Sequence, residues 1–189
     1  LAGGAEAPAS YRFTLREVRR EAERSFFDVA RVQEGAVLEK ALEVFGVDPA
    51  GRVCLDIGAS SGGFTDCLLQ KGAARVYGVD VGYGQFDWRL RQDPRVVLLE
   101  RTNVRYIDSS VIPEPVALVV IDVSFISLTK VLPALVSLMQ PRAIVITLVK
   151  PQFEVGKGQV GRGGIVRDDA QRQGALQGVV QCARGLGLQ

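Results

Sequence analysis

The stretch "LDIGASSGGFTDCLL", residues 55–69, places an acid and a glycine-rich turn between an apolar run and a helical pattern. Glycine lets the backbone turn sharply and approach other groups closely, and the N–H groups that open a helix carry partial positive charge. In open α/β sheets, ligands bind at such a turn beyond the carboxyl end of a strand. The stretch therefore predicts a strand, a ligand-binding turn and a helix.

Apolar runs and helical patterns alternate along the rest of the chain. Continuous apolar strands separated by helices are typical of a parallel sheet that is covered on both faces. The predicted fold class is therefore α/β, a doubly wound and mostly parallel sheet of the Rossmann-like type. The predicted strands are 52–57, 75–79, 95–99, 117–121 and 143–149, and the predicted helices are 13–33, 37–45, 61–71, 83–92, 129–139 and 169–185.

Composition excludes several kinds of site. The 189 residues contain no histidine, which excludes Ser-His-Asp triads and histidine-based metal sites. The three cysteines show no C-x-x-C spacing, as is typical of a reduced, cytoplasmic protein without a metal site. The formal net charge of +2 favours no class of partner, and the apolar runs are too short to span a membrane.

Two carboxylates indicate which ligand the turn binds. The turn lacks the G-x-G-x-x-G pattern of dinucleotide sites, and Asp56 precedes its first glycine, where an acid repels a pyrophosphate and attracts an ammonium group. Asp80 ends the second predicted strand, the usual position of a carboxylate that accepts hydrogen bonds from ribose hydroxyls. Together they favour S-adenosyl-L-methionine over a nicotinamide cofactor. A turn needed only for tight strand-to-helix packing is the alternative, and it leaves both carboxylates unexplained.

Four longer segments resemble the TlyA family, often labelled hemolysin A. They are "CLDIGASSGGFTDCLLQKGAARVYGVDVGYGQ", "LRQDPRVVLLERTNVR", "DVSFISLTKVLPAL" and "LVKPQFEVGKGQVGRGGIVRD". The resemblance covers about residues 35–185 and implies an FtsJ-like, class I methyltransferase that acts on ribose 2′-hydroxyls of ribosomal RNA. Composition and residue spacing predict a leader with an N-terminal helix over 1–34, and the resemblance implies a methyltransferase domain over 35–189.

The resemblance implies where the cofactor and the catalytic groups lie. S-adenosyl-L-methionine is expected over residues 58–63, with Asp80 on its ribose and the 102–104 segment near its adenine. FtsJ-type enzymes use a Lys-Asp-Lys-Glu set, and Asp122 and Lys150 match its second and third members. The cofactor-binding residues expected on this basis are Asp56, Gly58, Ala59, Ser60, Gly62, Gly63, Phe64, Asp80, Val81 and Asn103.

Chemistry favours the same pair. Methyl transfer needs an aligned and deprotonated hydroxyl, and without histidine a lysine is the plausible base. Lys150 follows an apolar run, where desolvation favours its neutral form, and Asp122 ends the neighbouring predicted strand, where it can orient the lysine. Alternatively, Lys150 only extends from a strand end into solvent and Asp122 only caps a turn.

The sequence departs from the family pattern at two places. In "QEGAVLEKAL", residues 33–42, Glu34 replaces the arginine of S-R-G-G-x-K-L and Val37 stands in the place of the first catalytic lysine. Lys40 lies about two-thirds of a helical turn further on and does not replace it. The family's S4-like RNA-binding domain and its glutamate-bearing strand are not among the residues matched, so we expect half of the catalytic set.

The leading hypothesis is therefore an RNA 2′-O-methyltransferase whose partner is ribosomal RNA or a ribosomal subunit. The loop 150–168 contributes Lys157, Arg162 and Arg167 as candidate phosphate contacts. The main alternative is a cofactor- or RNA-binding module without catalysis. A nicotinamide dehydrogenase shares only the fold, and membrane lysis has no supporting amphipathic or spanning segment. The sequence predicts no oligomeric state.

Overall fold

A computed structural model describes residues 29–156 and 158–188. Within them, five strands form one sheet in the order β3-β2-β1-β4-β5, and every neighbouring pair is parallel. This confirms the predicted doubly wound α/β fold. The strands are β1 (Val53–Ile57), β2 (Arg75–Val79), β3 (Val96–Leu99), β4 (Val116–Ile121) and β5 (Met139–Thr147).

Helices connect the strands. Three of them begin at a side chain that accepts a hydrogen bond from the backbone N–H two residues on, namely Asp87, Ser127 and Asp168. The helices are α1 (Val29–Phe45), α2 (Gly63–Gln70), α3 (Trp88–Arg91), α4 (Leu128–Leu135), α5 (Pro151–Glu154) and α6 (Asp169–Gly185). Short 3-10 turns lie at Val104–Tyr106, Val136–Leu138 and Arg162–Gly164.

Both faces of the sheet are buried, as a parallel sheet requires. Side chains alternate between the two faces along each strand. On one side, Leu55 and Ile57 of β1 belong to a cluster that includes residues of α4 and Val179 of α6. On the other side, Cys54 belongs to a cluster that includes Leu38 of α1 and residues of α2. The two clusters fix the sheet between its helices and hold the strand ends in register.

The structure differs from the predicted elements in several places. The predicted helix 37–45 belongs to α1, which is continuous from Val29; residues 13–28 of the other predicted helix lie outside the described residues. The predicted helix 83–92 shortens to α3, because Gly84 has a φ of +77° and the helix begins only after Asp87. β5 begins at Met139, within the predicted helix 129–139, since the helical conformation ends in the 3-10 turn before it.

No helix of the described part combines the length and apolar character that crossing a membrane requires.

Candidate functional site

The carboxyl ends of the parallel strands bring the predicted site residues to one edge of the sheet. Asp56 lies in β1 and the glycine turn follows it. Asp80 and Asp122 come directly after β2 and β4, and Lys150 lies three residues after β5. Because all five strands run in the same direction, these ends meet at the same edge. The sheet therefore brings together the acids and the lysine that the sequence indicated.

Asp56 is the most strongly perturbed group at this edge. Its carboxylate is fully buried, and Thr65 of α2 donates a hydrogen bond to its Oδ2 at 2.7 Å. Its Oδ1 accepts no hydrogen bond from any residue that the structure describes. Burial, together with repulsion from Glu34 and Asp122, raises the pKa of Asp56 to about 7, against the hydrogen bond from Thr65. A cationic partner would stabilise the ionised form of this carboxylate.

Two glycines of the turn serve backbone packing. Gly58 has a φ of +84°, and a Cβ there would lie 2.3 Å from the carbonyl oxygen of Asp122. Gly62 has a φ of +95°, and a Cβ there would lie 2.5 Å from Leu90 Cδ1. Tight packing therefore explains these two glycines, although it does not explain Asp56. Helix α2 follows Gly62 and has no side-chain cap, and N–H groups at such a helix start attract an anionic ligand group.

Asp80 connects the turn to the loop after β2. Its Oδ2 accepts a hydrogen bond from the backbone N–H of Ser60 at 2.8 Å, and its Oδ1 accepts one from Gly82 at 2.6 Å. A carboxylate oxygen has a second lone pair. Asp80 can therefore hold the turn in place and still accept hydrogen bonds from two neighbouring ribose hydroxyls.

The other expected cofactor contacts occupy different environments. Val81 is exposed. Ala59 and Phe64 are buried in the core, so their side chains anchor the turn by apolar packing. Asn103 accepts a hydrogen bond from the backbone N–H of Arg105 at 3.1 Å. The neighbouring Thr102 N–H donates to the carbonyl of Asp80 at 2.9 Å, which places the 102–104 segment beside the predicted ribose site.

Asp122 and Lys150 form an ion pair. Lys150 Nζ lies 2.5 Å from Asp122 Oδ1 and donates a hydrogen bond to Ser124 Oγ at 3.0 Å. Both charged side chains are partly buried, with 27% and 19% of their surface exposed. Partial burial strengthens the attraction within the pair, and the two contacts hold the lysine amine at the sheet edge.

Two residues of this edge were missed by sequence reasoning. Glu34 was noted only as a departure from the family pattern, yet it accepts a hydrogen bond from Ser61 Oγ of the turn at 3.2 Å. Phe125 is 92% exposed and has a φ of +64°, and its ring centroid lies 5.1 Å from that of Phe153. Its place beside Asp122 in "DVSF" was the signal available in the sequence.

Helix α1 contains Val37, at the position of the family's first catalytic lysine, and Lys40, which was predicted not to replace that lysine. Leu38 and Leu42 are buried, whereas Lys40 forms an exposed ion pair with Glu43 at 3.2 Å. Val37 is only partly buried and carries no charge. Lys40 thus pairs with an acid of its own helix, at an exposed position.

The loop 150–168 is partly ordered into α5 and a 3-10 turn. Arg167 is exposed, while Lys157 lies outside the described residues. Among the described residues, no group of histidine, cysteine, aspartate and glutamate is arranged to hold a metal ion. A separate cleft of about 380 Å³ lies between α4, α5 and α6 and contains none of the predicted site residues.

Comparison with known proteins places this geometry in a family. The family model of the FtsJ-like methyltransferases matches residues 35–188. The 16S/23S rRNA (cytidine-2′-O)-methyltransferase TlyA of Mycobacterium tuberculosis is 56% identical over 84% of this chain and 59% of its own length. Hemolysin A of Brachyspira hyodysenteriae is 45% identical over 77% of this chain and 61% of its own length.

A solved structure supports the assignment. The crystal structure of a protein from Lactococcus lactis that is titled a hemolysin superposes on this chain with a TM-score of 0.77. Its sequence is 45% identical, and the superposition covers 79% of this chain and 72% of that chain. The present chain spans about three-fifths of the length of the two curated relatives. Because the family match extends over most of the sequence and includes every element from β1 to α6, the chain belongs to the family of FtsJ-like methyltransferases.

Proposed function

We propose that this chain transfers a methyl group from S-adenosyl-L-methionine to a ribose 2′-hydroxyl of ribosomal RNA in the cytoplasm. The observation that carries the proposal is the Asp122–Lys150 ion pair, which lies at the same sheet edge as the glycine turn and Asp80. The name of the M. tuberculosis relative supports the substrate class. We assign the activity to a methyltransferase domain spanning residues 35–189, preceded by the leader and N-terminal helix expected over residues 1–34. Helix α1 crosses this boundary, since it runs from Val29 to Phe45.

The chemistry of the sheet edge fits the cofactor. S-adenosyl-L-methionine supplies an electrophilic methyl group on a sulfonium. The unpartnered oxygen of buried Asp56 suits its ammonium group, and the uncapped start of α2 suits its carboxylate. Asp80 retains acceptor capacity for the ribose hydroxyls.

Lys150 and Asp122 suit the proton transfer that the reaction needs. As the 2′-oxygen gains the methyl group, its hydroxyl proton must leave. The Lys150 ammonium of the ion pair first releases a proton to solvent. The neutral amine then accepts the 2′-hydroxyl proton as the methyl group leaves the sulfonium, and Asp122 stabilises the ammonium that forms again. The hydrogen bond to Ser124 holds the Lys150 amine from a second direction. The amine nitrogen therefore stays oriented for proton transfer.

Phe125 supports a nucleic-acid substrate. An apolar ring that is 92% exposed in a left-handed backbone conformation is unfavourable in the isolated protein. The ring lies against Phe153, which follows Lys150 by three residues. RNA bases stack on aromatic side chains, so the pair provides a surface for the target base beside the ion pair.

The second candidate is a binding module that retains the cofactor site without catalysis. Val37 favours it, because no lysine stands at the position of the family's first catalytic lysine and Lys40 pairs with Glu43 instead. The two candidates share Asp56 and Asp80 and differ only in whether methyl transfer occurs.

The test is transfer of a labelled methyl group to ribosomal RNA, with the modified ribose position identified after nuclease digestion. We expect 2′-O-methylation by the wild-type chain and a loss of roughly 10²-fold or more in Lys150→Ala, the range of a general base. Lys71→Ala is the matched control, since Lys71 pairs with Glu39 on the outer surface. Cofactor binding without methyl transfer by the wild type would establish the binding module instead.

A further inference from the structure

Glu34 reaches the glycine turn from a different element, α1. The helix passes close to the start of α2, because a Cβ on Gly35 would lie only 3.1 Å from the carbonyl oxygen of Gly63. At this approach Ser61 Oγ donates a hydrogen bond to Glu34 Oε2 at 3.2 Å. The half-buried carboxylate is thereby placed at the opening of the proposed cofactor site.

The charges that act on Glu34 come from residues that follow β2, β4 and β5. Asp122 and Asp80 repel it, and Lys150 attracts it. Glu34 and Asp122 in turn repel Asp56. Four carboxylates therefore share this edge, and the cation that attracts Glu34, Lys150, is already paired with Asp122.

Asp56 provides an independent sign that a cation belongs here. It is fully buried, and its Oδ1 accepts no hydrogen bond within the described chain. A buried, unpartnered carboxylate oxygen is costly unless a donor or a cation reaches it. A metal ion is not the favoured occupant, because the described residues contain no cluster suited to one. An organic ammonium group satisfies both carboxylates with its three N–H donors.

We infer that Glu34, acting with Asp56, recognises the α-ammonium group of the cofactor. Glu34 is thus a specificity-determining residue that discriminates ligands carrying an amino-acid ammonium from those lacking it. The inference rests on the proposed function, because it assumes that the cofactor binds at this edge. Charge-assisted hydrogen bonds are stronger than neutral ones, so the effect of removing the charge of Glu34 should be measurable by equilibrium binding.

The test compares two ligands that differ in the ammonium group alone. Calorimetric titration of the chain with S-adenosylhomocysteine is compared with titration with its deaminated analogue, S-adenosyl-4-thiobutyrate. We expect Glu34→Gln to weaken binding of S-adenosylhomocysteine about tenfold, the range of one charge-assisted hydrogen bond. Binding of the deaminated analogue should change less than twofold. Glutamine retains an acceptor for Ser61, so the turn keeps its contact with α1.

Two further variants isolate the role of the charge. Glu39→Gln, on the same helix in an exposed pair with Lys71, should leave both affinities unchanged. Ser61→Ala removes the hydrogen bond and should affect both ligands equally. Equal loss of both ligands in Glu34→Gln would show that Glu34 only supports the turn, and this would overturn the inference, as would no loss at all. A folded wild type that binds neither ligand would overturn the proposed function itself.

Discussion

At the scale of single residues, Asp56 makes stability depend on pH. Its pKa is raised to about 7 in the folded chain from an ordinary value of 3.8, first by burial and then by repulsion from Glu34 and Asp122. The folded state therefore binds the proton more tightly than the unfolded state. The stability from this proton is fully present below the ordinary pKa and is lost as pH rises through about 7.

We expect Asp56→Asn to remove most of this dependence, because the amide stays neutral. Without ligand, the free energy of unfolding of the variant should rise relative to that of the wild type between pH 5 and pH 7. Above about pH 7 the difference between the two should stay constant. Urea denaturation at pH 5, 6, 7 and 8 measures the difference. Asp48→Asn, at an exposed aspartate, is the control. A constant difference between Asp56→Asn and wild type would show that Asp56 does not titrate in this range.

The residues of the site were predictable where they follow strands. Asp80, Asp122 and Lys150 stand at or shortly after the ends of apolar runs, and a parallel sheet gathers such ends at one edge. Glu34 and Phe125 were not predictable in the same way. The role of Glu34 depends on how closely α1 approaches α2, which is a tertiary property. Phe125 stands in "DVSF", but the sequence does not show that its ring is exposed or that its backbone is left-handed.

At the scale of elements, the five strands and their parallel arrangement followed from apolar runs separated by helical patterns. The errors occurred where polar residues interrupt a strand or glycines interrupt a helix. The first half of β5 contains exposed Gln140, Pro141 and Arg142. These residues interrupt the apolar run from which a strand is predicted. Gly82 and Gly84 precede α3, where the backbone N–H groups bond to Asp80 and Glu100 instead of forming a helical turn.

Glu154 joins the two helices that follow the proposed catalytic residues along the chain. From α5, its carboxylate accepts hydrogen bonds from Ser127 Oγ at 2.6 Å and from the backbone N–H of Leu128 at 2.8 Å, both at the start of α4. It thereby links the segment after Lys150 to the segment after Asp122. We expect Glu154→Ala to lower the free energy of unfolding by roughly 1–3 kcal/mol, since two donors lose a charged acceptor.

The measurement is urea denaturation of Glu154→Ala beside Glu43→Ala. Glu43 belongs to an exposed pair of the i, i+3 type, for which a loss of at most about 0.5 kcal/mol is typical. Glu154→Gln retains one good acceptor and should fall between the two. Equal stability of Glu154→Ala and Glu43→Ala would show that the two segments are held together by apolar packing alone.

At the scale of the whole molecule, the proposed catalytic residues and the start of the basic loop lie at the same edge of the sheet. The loop 150–168 begins at Lys150 itself, and the sequence places Lys157, Arg162 and Arg167 along it. The net charge of +2 is too small to attract RNA to the surface in general. Any electrostatic contribution to RNA binding must therefore come from local contacts such as these.

Binding to single-stranded ribosomal RNA should accordingly weaken with salt, but only moderately. Three phosphate contacts predict a slope of about −2 in a plot of log affinity against log salt concentration, or roughly a 20-fold loss between 50 and 200 mM salt. Arg167→Ala should make the slope shallower by about 0.7, whereas Lys71→Ala, at the outer end of α2 beside Glu39, should not change it. Fluorescence anisotropy with a labelled RNA at four salt concentrations gives the slope. An affinity that does not change with salt would remove the basic loop from the RNA interface and leave Phe125 and Phe153 as the contacts to test.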